Sequence, residues 1–171
     1  MEHESSQKEL FVINRTFEVP IETMFDLWTD PKHFSQWLPP TGFTMNFIRA
    51  EIKTGGSTFY SMTDGKSVTM YGRAKYLEIQ RPHRLVYAQQ FCDKDENVTR
   101  HPMAPTWPET MLTTVIFSEE GPDQTRVTVS WRPHDAATAE EVDCFVKARG
   151  GMTQGWTGSF DKLEDYISQK N

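Results

Sequence analysis

The sequence predicts an α+β fold in which a curved antiparallel β-sheet wraps around a long C-terminal α-helix, with two short helices after the first strand. Three observations carry this. From Met152 to Ile167, the residues Met152, Trp156, Phe160, Leu163 and Ile167 recur at helical steps, while Asp161, Lys162, Glu164 and Asp165 take the opposite side. Ahead of that helix lies a succession of strand-like runs separated by short turn signals, the pattern of an antiparallel meander. Between the first strand and the meander, Pro20 to Leu38 reads as two short helical pieces. Burying the five side chains of the last helix would supply on the order of 7 to 15 kcal/mol, an upper bound because the unfolded chain already hides some apolar surface. One helix cannot form that core alone, so the sheet must offer it a concave apolar face.

Length and charge bound the rest. A chain of 171 residues suits one domain, expected over residues 9–171, with residues 1–8 (MEHESSQK) a frayed polar terminus. An aromatic fraction of 12%, with five Trp and eight Met, makes for a bulky and adaptable core. Net charge is -6 and no Lys/Arg block gathers on a face, which argues against nucleic acid or an anionic membrane as partner. Cys92 and Cys144 lack CxxC spacing and are too few for a disulfide framework. No signal peptide or long apolar run is visible, so a soluble, cytoplasmic protein is expected.

Taken in order, Leu10 to Val19 reads as a strand with Phe11, Ile13, Phe17 and Val19 on one face and Arg15 among them. A charge there must be paired, and an Arg reaching a helix carboxylate or carbonyl is the reading favoured over ligand binding. Pro20 opens a helix whose Ile21, Met24, Phe25 and Trp28 follow helical spacing; Asp30-Pro31 stops it. Lys32 to Leu38 follows, with Phe34 and Trp37, before Pro39-Pro40 and Gly42 force a turn. The meander then runs through Phe43 to Ile52, Ser57 to Thr63, Val68 to Ile79, Leu85 to Cys92, Thr110 to Phe117 and Thr125 to Trp131. Gly72 suggests a bulge or bend, and Gly121-Pro122 the last hairpin turn. Residues 93–108, with Pro102, Met103, Pro105, Trp107 and Pro108, form either a lid or a surface excursion pinned by Trp107. Thr138 to Glu141 matches a capping box, and Gly150-Gly151 predicts a helix break before Met152.

These residues also resemble a family. Arg15, Phe17 and Pro20, then Phe25, Trp28-Thr-Asp-Pro31, Gln36-Trp37 and Gly42-Phe43, occur in its order. They continue with Gly55-Gly56, Met62, Asp64-Gly65, Gly72, Tyr76, Glu78-Ile79, Pro82 and Arg84 to Tyr87. The last block is Gly151-Met152, Gln154-Gly-Trp156 and Phe160 to Leu163. The chain resembles a stand-alone member of the SRPBCC superfamily, with the START-like helix-grip fold, in the group named for the C-terminal domain of the activator of the heat-shock-protein-90 ATPase. The resemblance implies a cavity between sheet and helix that binds apolar molecules. It leaves room for a cyclase or hydrolase acting there, for a homodimer, and for a chaperone contact tied to the stress response.

Chemistry is sparse. His3, His33, His83, His101 and His134 are scattered without HxxxH or HExxH spacing, so no metal and no cofactor is expected. Neither cysteine sits at a glycine elbow, there is no GxSxG, and no catalytic residue is assigned. A gripped helix would turn Met152, Trp156 and Phe160 toward strand residues Tyr76, Gln89, Thr113 and Trp131. Trp37 and Met62 complete the expected lining of a hydrophobic ligand cavity. Gln89 and Thr113 would need partners if buried, whether protein, water or ligand. Arg15 and Tyr60 are the candidate polar groups of the cavity, and with Tyr76 the only candidates for an acid or base.

Overall fold

Each strand run returns on its neighbour because the turns between them are short, and one seven-stranded sheet results. The computed structural model describes residues 10–101 and 104–170. Its strands are β1 Phe11–Phe17, β2 Thr44–Ala50, β3 Ser57–Thr63, β4 Thr69–Gln80, β5 Arg84–Cys92, β6 Met111–Gly121 and β7 Gln124–Pro133. They lie in the order β1-β7-β6-β5-β4-β3-β2, every pair antiparallel. The helices are α1 Ile21–Thr29, α2 Pro31–Trp37, α3 Ala139–Lys147 and α4 Arg149–Lys170. The expected helix grip is therefore present. The expected frayed terminus, residues 1–8, and Pro102 and Met103 of the long loop lie outside the described residues.

Local chemistry sets the element ends. Asp30 closes α1 through its backbone N–H to Asp26 O, and its side chain caps α2 by accepting from Lys32 N at 3.0 Å. Pro31 sits in the first turn of α2, where a missing N–H costs nothing. The short helices then pack as an aromatic plug: Trp28 lies 4.7 Å from Trp37, whose indole N–H donates to Leu27 O at 2.9 Å. The capping box at Thr138 and Glu141 forms as expected, starting α3.

Three local expectations are corrected. Gly72 makes no bulge. It stays in register with Tyr60 and Phe91, and the irregularity in β4 falls between Tyr76 and Glu78. Gly72 is required because a Cβ there would stand 2.5 Å from Cζ and Oη of Tyr60, whose ring lies across it. The final hairpin turns on Pro122-Asp123, since β6 runs through Gly121. The helix break precedes the glycine pair: α3 ends at Lys147 and α4 begins at Arg149, with Gly150 and Gly151 inside it. Arg149 fixes that junction by donating to Val146 O and to Leu10 O.

The five spaced residues of α4 are all buried. Phe160 is fully so, edge-on to Phe17 at 5.4 Å, while Phe25 meets Phe117 at 5.4 Å. Phe160→Ala should therefore lower unfolding free energy by about 3–5 kcal/mol in urea titrations, with far-UV circular dichroism retained in water.

Candidate ligand-binding cavity

Alternation along the strands and helical steps along α4 aim two sets of side chains at each other. From β3 come Thr58, Tyr60 and Met62; from β4 Met70, Gly72, Ala74 and Tyr76; from β5 Tyr87, Gln89 and Phe91. Each set steps by two residues, so each lies on one face of its strand. Met45 and Phe47 of β2, Trp131 of β7, and Phe34, Leu38 and Pro40 around the end of α2 extend the wall. Opposite them α4 presents Gly151, Met152, Gly155, Trp156 and Ser159. Between the two faces is a cavity of about 560 Å³, within the range of small-molecule sites.

The space exists because volume is missing where two faces meet. Gly72 and Ala74 on the sheet face Gly151, Gly155 and Ser159 on the helix. A Cβ at Gly151 or Gly155 would meet nothing within 4 Å. The same holds at Gly158, so the sheet does not come close to the backbone at these glycines. A second pocket of about 250 Å³ adjoins the first through shared Tyr60, Gln89, Phe91, His101 and Trp131, and continues to Trp107, Pro108, Glu109 and Met111.

Of the residues expected at the site, Met62, Tyr76, Gln89, Trp131, Met152, Trp156 and Tyr60 stand on the cavity wall. The others do not. Trp37 is fully buried in the aromatic plug and tied to Leu27 O. Phe160 is one helical turn too far along α4 and is buried against Phe17 and Trp156. Thr113 is also fully buried, on β6 between the wall residues Tyr87 and Trp131 with which it is in register, and its hydroxyl donates to Gln89 Oε1. Arg15 takes the structural role: its guanidinium donates to Asp161 at 2.9 Å and Glu164 at 3.1 Å on α4 and lies over the Phe160 ring. Tyr87, Phe91, Ala74 and Gly155 are wall residues the sequence reading missed. Two-residue steps from Tyr76 and Gln89, and one-residue and three-residue steps from Trp156 and Met152, would have found them.

The polar groups are neutral. Burial pushes the Tyr60 phenol up to about 12 and raises Tyr76 and Tyr87 as well. Burial likewise raises the Cys92 thiol to about 11, leaving it unreactive near neutrality. His101 is held below the usual imidazole range by burial. The indole N–H groups of Trp131 and Trp156, 5.6 Å apart edge-to-face, are buried with no hydrogen-bond partner among the described residues. Among those residues no group of three or more His, Cys, Asp or Glu could hold a metal ion.

The segment 93–108 is anchored at several points. Glu96, at φ 66°, makes a bidentate pair with Arg49 at 2.7 Å and also meets Arg73. Arg100 donates to the carboxylate of Glu141, and Trp107 stacks on Phe145 with ring centroids 6.1 Å apart. Between those anchors the segment adds His101 to the wall.

The family model described as Activator of Hsp90 ATPase homolog 1-like protein matches residues 18–168. Among solved structures, a protein from Arthrobacter aurescens superposes with a TM-score of 0.80 at 20% identity, over 96% of this chain and 88% of that one. A protein from Staphylococcus epidermidis gives 0.72 at 26% identity over 95% and 92%, and protein Ms6760 from Mycobacterium smegmatis 0.74 at 18% over 94% and 91%. No curated protein matches the sequence. No described helix is long and apolar enough to cross a membrane.

His101 generates a pH prediction. Its folded-state value lies below that of the unfolded chain, so below about pH 6.5 the unfolded state binds a proton that the native state refuses. Stability should fall on acidification through that window, and His101→Gln should flatten that part of the profile in urea titrations between pH 7.5 and about 5.5.

Proposed function

We propose that this chain, which belongs to the family of Activator of Hsp90 ATPase homolog 1-like proteins, takes an apolar or aromatic small molecule into the cavity between its sheet and α4. The observation that carries this reading is the cavity of about 560 Å³ walled by Tyr, Trp, Phe and Met, and held open by Gly72, Ala74, Gly151 and Gly155. Gly151 and Gly155 are exposed, so on the helix side that volume stays open at the cavity's edge, while the buried Gly72 and Ala74 keep it open on the sheet side.

Binding is favoured over turnover. A cyclase or hydrolase would need an acid or base poised near neutral pH; the wall's phenols are raised by burial and Arg15 is engaged outside the cavity, which leaves the His101 imidazole as the titratable group on the wall for such a role. Chaperone modulation draws support from the family's description alone. Large exposed apolar residues, Val12, Ile48, Val68, Leu77 and Val98, are spread over separate strands, turns and loops rather than gathered.

Native mass spectrometry of the protein after exposure to a metabolite pool, with thermal-shift screening of the same pool, tests the reading. Retained apolar or aromatic adducts that raise Tm are expected. Gly155→Leu supplies the control: it adds a side chain into open space and improves helix propensity by roughly 1 kcal/mol. The variant should melt higher than wild type yet lose the adducts. Adducts that persist undiminished in it would place them elsewhere and sink the proposal.

A further inference from the structure

Resting on the cavity reading above, we infer that the site selects uncharged ligands: an apolar, preferably aromatic body carrying one neutral hydroxyl or carbonyl, whose polar end is read by Gln89 and Tyr60. Among the described residues, no Asp, Glu, Lys or Arg lines the larger cavity. The charged residue on the smaller pocket is Glu109, exposed and 3.8 Å from Arg100, which would repel an anion rather than hold one. An ionised head brought into these walls would lose its hydration without a counter-charge, and such a loss exceeds what ring faces return to a cation.

The polar atoms are not spread evenly. Tyr60, Gln89, His101 and the Trp131 indole belong to both pockets and so mark the junction between them. Beyond the junction the larger cavity carries the phenols of Tyr71, Tyr76 and Tyr87 but is faced chiefly by methionines and Phe47, which offer shape and dispersion with almost no directionality. The junction does offer it. Thr113 donates its hydroxyl proton to Gln89 Oε1, which fixes the side-chain amide and leaves both Nε2 protons directed away from that bond. Among the described residues nothing accepts from Gln89 Nε2, and nothing bonds the Tyr60 hydroxyl. One amide donor and one phenol beside it suit a single oxygen that accepts from the amide and exchanges a hydrogen bond with the phenol. A hydroxyl or carbonyl does so at no charge. Gly72 permits this, since any Cβ there would push the Tyr60 ring and hydroxyl off strand β4.

Four probes of one shape separate the possibilities: biphenyl, 4-hydroxybiphenyl, biphenyl-4-carboxylate and biphenyl-4-methylammonium, titrated at pH 7 by quenching of tryptophan fluorescence. 4-Hydroxybiphenyl should bind tightest, biphenyl about tenfold more weakly, and both ions at least about a hundredfold more weakly than the phenol. Gln89→Leu and Tyr60→Phe should each erase most of the phenol's advantage over biphenyl measured in the same variant, with far-UV circular dichroism reporting that the variants are folded. A carboxylate or ammonium bound as tightly as the phenol overturns the selection for neutral ligands while leaving the cavity reading in place. A phenol advantage that survives both substitutions overturns the assignment of the reading residues. If none of the four binds, the cavity reading itself falls and this inference with it.

Discussion

The structure depends on the position of one ring system. Trp156 of α4 stacks on Trp28 of α1 at 5.9 Å, meets Trp131 of β7 edge-on at 5.6 Å and touches Phe160 at 5.6 Å. It divides the helix into two halves with opposite packing rules. C-terminal to it, Phe160, Leu163 and Ile167 are buried between helix and sheet, against partners that include Phe17 of β1. N-terminal to it, Gly151 and Gly155 leave that space empty. A helix gripped along its whole length would have no cavity, and one gripped nowhere would have no fold. The filled half supplies the burial that makes the unfilled half affordable.

That division explains why the fold was legible from the sequence and the site only partly so. The helical steps from Met152 to Ile167, the short-turn meander and the Asp30-Pro31 boundary depend on local rules, and each is where those rules put it. Which wall residues face a void depends on volumes across the interface, which periodicity does not encode. Trp37 and Phe160 were natural candidates as large aromatics on apolar faces, yet size is why they ended as core: a large ring fills its own space. The cavity is signalled instead by small residues. Gly150-Gly151, read as a helix break, lies inside α4, because the break is set at Ala148 and by the Arg149 contacts with Val146 and Leu10. Gly72, read as a bulge or a bend, makes no bulge and is a seat for Tyr60.

The ionic contacts hold the frame rather than the site. Arg15 ties β1 to α4 from outside, through Asp161 and Glu164. Glu141 does two jobs. Its carboxylate completes the capping box that starts α3, and it receives Arg100 and the Glu109 N–H from the long segment before β6. The backbone bond from Thr138, then the Arg100 charge, hold its pKa below the ordinary carboxylate range. The sign follows: this contribution is present above the unfolded carboxylate value and is lost as pH falls through the lower folded one. The same acidification opposes His101, whose imidazole the native state keeps neutral. Both groups attach the 93–108 segment to the domain, so acid loosens this segment from two sides.

A neutral interior with a polar junction also bears on what kind of work the walls suit. Desolvation moves the phenols of Tyr60, Tyr76 and Tyr87 away from neutrality, so these three are hydrogen-bonding groups at physiological pH and not proton carriers. Catalysis of ring closure or hydrolysis would require charge to develop in the transition state, and preorganised charges or donors must meet it there. At the junction the Gln89 amide and the Tyr60 hydroxyl stand with the buried Trp131 indole N–H and with His101, whose imidazole burial keeps neutral. Neutral walls of this kind suit the bound ground state that the proposed function describes.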